Sequence, residues 1–120
     1  MIFVGTDIVE ISRIDKLIQE KGDYFLNHIF TSVEQGICNK KSSPSMHYSG
    51  KYAAKEAVKK AILSSKSIST ITLRSIEIHN DKDGMPHVQM QEIWPDFENL
   101  RVSISHTRIY AIATAIVQIK

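Results

Sequence analysis

Only one cysteine, Cys38, occurs in the 120 residues. That excludes an internal disulfide and any metal site built from several thiolates. Read alone, Cys38 is a small, half-buried apolar residue rather than a nucleophile. Long hydrophobic runs are missing too, and no stretch reaches membrane-spanning length. Met1 leads straight into a strand-like run with no basic leader, so no secretion signal is expected and the expected location is the cytoplasm. Charge of one sign is also lacking: 15 basic residues stand against 13 acidic ones, net +2. That balance does not argue for nucleic acid as a partner. No P-loop, Gly-x-Gly-x-x-Gly, His-Glu-x-x-His or nucleophile elbow is found.

What is there begins with a 42% hydrophobic content. It is enough for one domain over residues 1–120, although small domains often gain stability by association. Basic residues cluster at Lys40 and Lys41 and again from Lys51 to Lys60. A local patch of this kind suits a phosphate-rich ligand or an acidic protein.

Ile2 to Val9 is rich in β-branched residues and reads as a strand. Alternation places Phe3, Gly5, Asp7 and Val9 on one face, and a carboxylate among apolar neighbours needs a partner. Ser12 is positioned to cap a helix through Ile14, Leu17 and Ile18 that Gly22 ends. Phe25 to Phe30 suggests a helical turn or two. Thr31-Ser32-Val33-Glu34 fits a capping box that opens another helix. Lys40 to Pro44 is turn-prone. From about Ser45 to Ser64 a longer helix is expected, with Ala54, Ala57, Val58, Ala61 and Ile62 forming an apolar stripe.

The second half reads as β. Strands are expected at Ile71 to His79 and at Pro86 to Met90, joined by a tight turn at Asp83-Gly84. Ile93 to Asn99 reads as irregular. Leu100 to His106 and Tyr110 to Ile119 read as an antiparallel pair. A strand, then helices, then strands gives an α+β class.

Three groups carry candidate chemistry. Asp7 is either a strand-end carboxylate that caps a helix or pairs with Arg13, or a ligand for Mg²⁺, which favours carboxylate oxygen. Glu56 and Lys60, four residues apart, are either a solvated ion pair or a metal ligand beside a phosphate-binding lysine. His106, with Thr107 after it, is either a polar surface group at a strand end or a donor to phosphate. Spacing leaves these alternatives open.

Four segments in order resemble one family. They are Gly5-Thr6-Asp7-Ile8-Val9-Glu10-Ile11-Ser12-Arg13-Ile14, Tyr52-Ala53-Ala54-Lys55-Glu56-Ala57-Val58-Lys59-Lys60-Ala61, Asp83-Gly84-Met85-Pro86, and Val102-Ser103-Ile104-Ser105-His106-Thr107 followed by Tyr110-Ala111. Together they resemble the holo-acyl-carrier-protein synthases, small 4′-phosphopantetheinyl transferases of bacterial lipid synthesis. The resemblance implies transfer of the 4′-phosphopantetheine arm of coenzyme A to a serine of apo-acyl carrier protein, with release of adenosine 3′,5′-bisphosphate.

By the same resemblance Asp7 and Glu56 would hold Mg²⁺, and Lys60 would act with them as the third catalytic residue. Mn²⁺ is not excluded at an oxygen-ligand site. Lys51, Lys60, Gly84, Pro86, His106 and Thr107 would bind coenzyme A. Lys51 stands where the family usually has arginine, so a bidentate fork is lost there. Arg13, Lys16, Leu17, Lys21 and Phe25 would dock the acidic carrier. The family forms homotrimers, and the small residues Ala111, Ala113 and Ala115 would suit close packing against neighbours. Two departures stand out: Met85 replaces a usual lysine, and Ser64-Ser65-Lys66-Ser67 replaces a Gly-Thr-Gly loop. The competing expectations are a non-catalytic module binding coenzyme A or an acyl carrier protein, and a structural trimer with Asp7 and Glu56 merely ion-paired.

Overall fold

A computed structural model describes residues 1–92 and 96–120. The elements run β1 (Ile2–Glu10), α1 (Ile11–Lys21), α2 (Asp23–Ile29), α3 (Ser32–Asn39), α4 (Pro44–Ser64), a 3-10 turn (Leu73–Ser75), β2 (Ile76–Asn80), β3 (Pro86–Met90), β4 (Phe97–His106) and β5 (Tyr110–Ile119). The class is α+β, as the sequence order implied. β1, β5 and β4 form an antiparallel sheet in that order, and β2 pairs with β3 as a separate antiparallel hairpin.

α4 lies across the inner face of the three-stranded sheet. Its Ala53, Ala54, Ala57, Val58, Ala61 and Ile62 are fully buried, as are Ala111, Ala115 and Val117 of β5. Alanines on both surfaces let helix and sheet approach closely. At Gly5 the approach is closer still: a Cβ there would lie 2.0 Å from the carbonyl oxygen of Ala57. The alanines of β5 thus serve the core rather than a contact between subunits; the side chains pointing outward are Ile112, Thr114 and Ile116.

The capping box is present. Glu34 N donates to the Thr31 hydroxyl and Thr31 N donates to Glu34 Oε1. Glu34 also lies in the core, where its second oxygen accepts from Ile78 N at 2.8 Å and its first meets Lys55 Nζ at 2.6 Å. Both side chains are fully buried. Lys55 also donates to the carbonyls of Ile29, Leu73 and Ile76, and its ammonium lies over the Phe30 ring, 5.4 Å from the centroid. Burial pushes the Lys55 ammonium below the usual lysine range, against the pull of Glu34. This network binds α3, α4 and the start of β2 into one unit.

Several expectations need correction. The cap of α1 is Glu10, with no side-chain bond, because β1 runs directly into the helix and leaves Ser12 inside it. The segment before Ile76 is not strand: Ser75 N closes the 3-10 turn onto Thr72 O. β4 begins at Phe97, so the irregular segment expected to reach Asn99 is shorter; Ile93 to Pro95 lie outside the described residues. Cys38 is fully buried, and desolvation raises its thiol pKa to about 11, which makes it unreactive. Among the described residues no helix is long and apolar enough to cross a membrane.

Candidate active site

β1 and α4 bring Asp7 and Lys60 together. Lys60 Nζ lies 3.0 Å from Asp7 Oδ1 and donates to the Thr6 carbonyl at 3.0 Å. Asp7 therefore pairs with Lys60 rather than Arg13, and Lys60 reaches across to the strand rather than along its helix to Glu56. Burial first and the negative charge of Glu56 second raise the Tyr52 phenol above its usual range; Arg13 opposes the rise and Asp7 adds a little to it. Among the described residues no group of three His, Cys, Asp or Glu forms a cage for a metal ion. Two carboxylates still suit Mg²⁺, which keeps several waters and takes its remaining ligands from substrate phosphates.

A second cluster is a cavity of about 200 Å³ between α4, the β2–β3 hairpin and the end of β4. Lys51, Gly84, Pro86 and His106 all line it, with Met46, His47, Gly50, Asn80 and Ile104. Gly84 has φ of +86°, a backbone state that favours glycine, where the hairpin loop folds back. Lys51 is only 4% exposed. Its ammonium donates to Ile78 O at 3.0 Å and to Asn80 Oδ1 at 2.8 Å. Burial lowers its pKa. His47 is lowered too, by burial first and then by the charges of Lys41, His106 and Lys51.

Lys60 and Thr107 do not line this cavity. The Thr107 hydroxyl oxygen accepts from Ile109 N and Tyr110 N and builds the turn into β5. On α1, Arg13, Lys16 and Lys21 are exposed, whereas Leu17 of α1 and Phe25 of α2 are half-buried against the core. Phe25 packs near the Phe30 and Tyr52 rings.

Sequence reasoning missed His47 and Asn80 in the cavity and the buried state of Lys51 and Lys55. One signal was available for the lysines. Lys51, Lys55, Val58 and Ile62 follow helical spacing, so they share the face that the apolar stripe buries.

A sequence profile of the 4′-phosphopantetheinyl transferase superfamily matches residues 3–115. The chain belongs to that superfamily. It is 40% identical over 116 residues to the holo-acyl-carrier-protein synthase of Protochlamydia amoebophila, with 94% of each chain covered. The ACPS–CoA complex of Chronobacterium ammoniagenes superposes with a TM-score of 0.85 at 27% identity, covering 100% of this chain and 98% of that one. The Helicobacter pylori holo-acyl-carrier-protein synthase in complex with coenzyme A gives 0.83 at 28% identity, covering 96% and 99%. As a member of a transferase family, the chain is an enzyme.

Proposed function

We propose that this chain transfers 4′-phosphopantetheine from coenzyme A to a serine of apo-acyl carrier protein, in the service of lipid synthesis. The observation that carries the reading is the cavity in which Lys51, Gly84, Pro86 and His106 converge from α4, the β2–β3 hairpin and β4. Two relatives of the same fold were solved with coenzyme A.

In the proposed reaction the serine Oγ attacks the pyrophosphate phosphorus that carries the pantetheine arm. The bond from that phosphorus to the oxygen shared with the nucleotide breaks, and adenosine 3′,5′-bisphosphate leaves. Asp7 and Glu56 are the residues that would hold Mg²⁺, which when bound neutralises charge on the phosphates. Lys60 is half exposed, and its ammonium would stabilise the leaving phosphate. Glu56 has no ion-pair partner among the described residues, so within this cluster it is the carboxylate available to accept the serine proton. The cavity would hold the adenine against Gly84 and Pro86 and the 3′-phosphate near His106 and Thr107. The exposed Arg13, Lys16 and Lys21 of α1 would attract an acidic carrier and speed encounter, with Leu17 and Phe25 beside them.

The whole chain acts in this reading as one domain, and three copies assemble. Support for assembly comes from the outer sheet face. Ile2, Val4 and Ile8 of β1 are 61, 58 and 61% exposed and adjoin Ile112 and Ile116 of β5, at 41 and 43%. Exposed apolar side chains on one sheet face, here interrupted by the Thr6–Thr114 pair, mark an interaction site.

The test is mass spectrometry of apo-carrier after incubation with the protein, coenzyme A and Mg²⁺, beside an EDTA control. Gain of one phosphopantetheine only with metal present supports the transferase. No gain from folded protein that still binds coenzyme A would replace it with a binding module. Asp7→Ala is expected to abolish transfer while the melting temperature stays within a few degrees, since a pair whose lysine is half exposed contributes only about 1 kcal/mol.

A further inference from the structure

Asn80 ends β2, and its register partner Pro86 has no N–H to give the strand ladder. Its side chain makes two bonds. Oδ1 accepts from Lys51 Nζ at 2.8 Å, and Nδ2 donates to the carbonyl of Gly84 at 3.2 Å. An ammonium only donates. It therefore dictates which end of the Asn80 amide faces α4, and the NH₂ is left facing Gly84. The loop beyond is rigid within itself. Asp81 Oδ1 accepts from Asp83 N and Met85 N, Asp81 Oδ2 lies 3.0 Å from His87 Nε2, and Gly84 N donates to Asp81 O. What connects this preformed loop to α4 is the run Lys51–Asn80–Gly84.

We propose that Lys51 and Asn80 form a positioning relay for the nucleotide cavity: Lys51 sets the amide of Asn80, and Asn80 holds the loop of Gly84 and Pro86 at its working distance from α4. This rests on the reading above that the cavity takes the nucleotide of coenzyme A. Lys51 then acts on the ligand through Asn80 rather than as a phosphate contact. Its burial and its two acceptors, one a backbone carbonyl of β2, fit a fixed structural donor.

The experiment measures KM and kcat of Asn80→Ala, Lys51→Met and the double variant, with coenzyme A and with coenzyme A lacking its 3′-phosphate. Each single variant is expected to raise KM for the nucleotide about tenfold, by the same factor for both substrates, while kcat at saturation falls far less. The double variant is expected to be no worse than either single one, because both break one relay. Multiplying losses would overturn the relay. So would a Lys51→Met defect confined to the 3′-phosphorylated substrate, because that assigns the ammonium to the phosphate. A further arm is Asn80→Asp. Its carboxylate strengthens the bond to Lys51 but sets an acceptor against Gly84 O, so melting temperature holds or rises while KM rises. A fall in melting temperature with unchanged KM would reduce Asn80 to a structural role. Wild-type protein that uses neither substrate would overturn the underlying reading and the relay with it.

Discussion

Replacing Gly5 by alanine tests how tightly β1 and α4 fix the carboxylate cluster. The added Cβ would meet Ala57 O at 2.0 Å, Ala61 N at 2.7 Å and Ala57 C at 3.0 Å. All three are backbone atoms of α4, so no side chain can turn aside. Relief requires helix and strand to part by more than an ångström, and the same helix face packs on β5. Overpacking a core typically costs about 1–3 kcal/mol; with backbone on both sides, about 3 kcal/mol is expected. For a chain of this size that corresponds to a fall in melting temperature of roughly 12 °C. Gly5 lies in strand outside the positive-φ region, so the loss would be steric rather than conformational. The control is Gly36→Ala in α3, where a Cβ meets nothing within 4 Å. There alanine should stabilise by about 0.5–1 kcal/mol, through the lower entropy of the unfolded chain and better helix propensity. Thermal melts of both variants decide the matter, with transfer activity read alongside because Asp7 lies two residues further along β1. A Gly5→Ala melt within two or three degrees of wild type, or both variants moving in the same direction, would refute the reasoning.

Glu34→Gln should destabilise by about 3–5 kcal/mol in urea titration, because it leaves the buried Lys55 without its carboxylate and sets an NH₂ among donors. Glu34→Leu with Lys55→Met should recover much of that loss. His47 titrates below its ordinary value in the folded chain. The unfolded state therefore binds more protons between that lowered pKa and about 6.5, so stability rises with pH across this window and is flat above it. Phosphate binding nearby should raise the His47 pKa, so NMR titration with adenosine 3′,5′-bisphosphate should move its midpoint upward and show proton uptake. Arg13→Glu should raise KM for the carrier more than KM for coenzyme A; equal effects would remove Arg13 from the docking surface.

Local features of the fold were legible because their causes are local. Thr31 and Glu34 lie three residues apart and satisfy each other's backbone. Gly22, at φ +54°, ends α1 where a glycine was expected to. Pro86 opens β3 as an edge proline does. The failures came from partners distant in sequence. Nothing near Lys55 announces that carbonyls of Ile29, Leu73 and Ile76 would surround it. Nothing near Thr72 announces that the chain would turn before pairing with β3. The same holds for the site. Asp7 and Lys60 are 53 residues apart and met only through the β1–α4 packing that Gly5 permits. The resemblance named them; spacing alone left them as an ordinary carboxylate and an ordinary lysine.

Three lysines of α4 show how one helix separates support from chemistry. Lys55 is fully buried against Glu34 and three carbonyls, and removing its partner would strand a charge in the core. It is fixed. Lys51 is nearly as buried but meets neutral acceptors, a carbonyl and an amide, at the wall of the cavity. It is fixed in place and holds the amide of Asn80. Lys60 is 53% exposed, and its contact with Asp7 is of the kind that holds by about 0–1 kcal/mol. It can leave Asp7 for a substrate phosphate with little loss of stability. On the proposed function, a helix anchored by Lys55 therefore presents a movable cation to the reacting phosphates and, through Lys51 and Asn80, a fixed support to the nucleotide loop. Substituting Lys60 should then lower turnover with little change in melting temperature, whereas substituting Lys55 should do the reverse of sparing the fold.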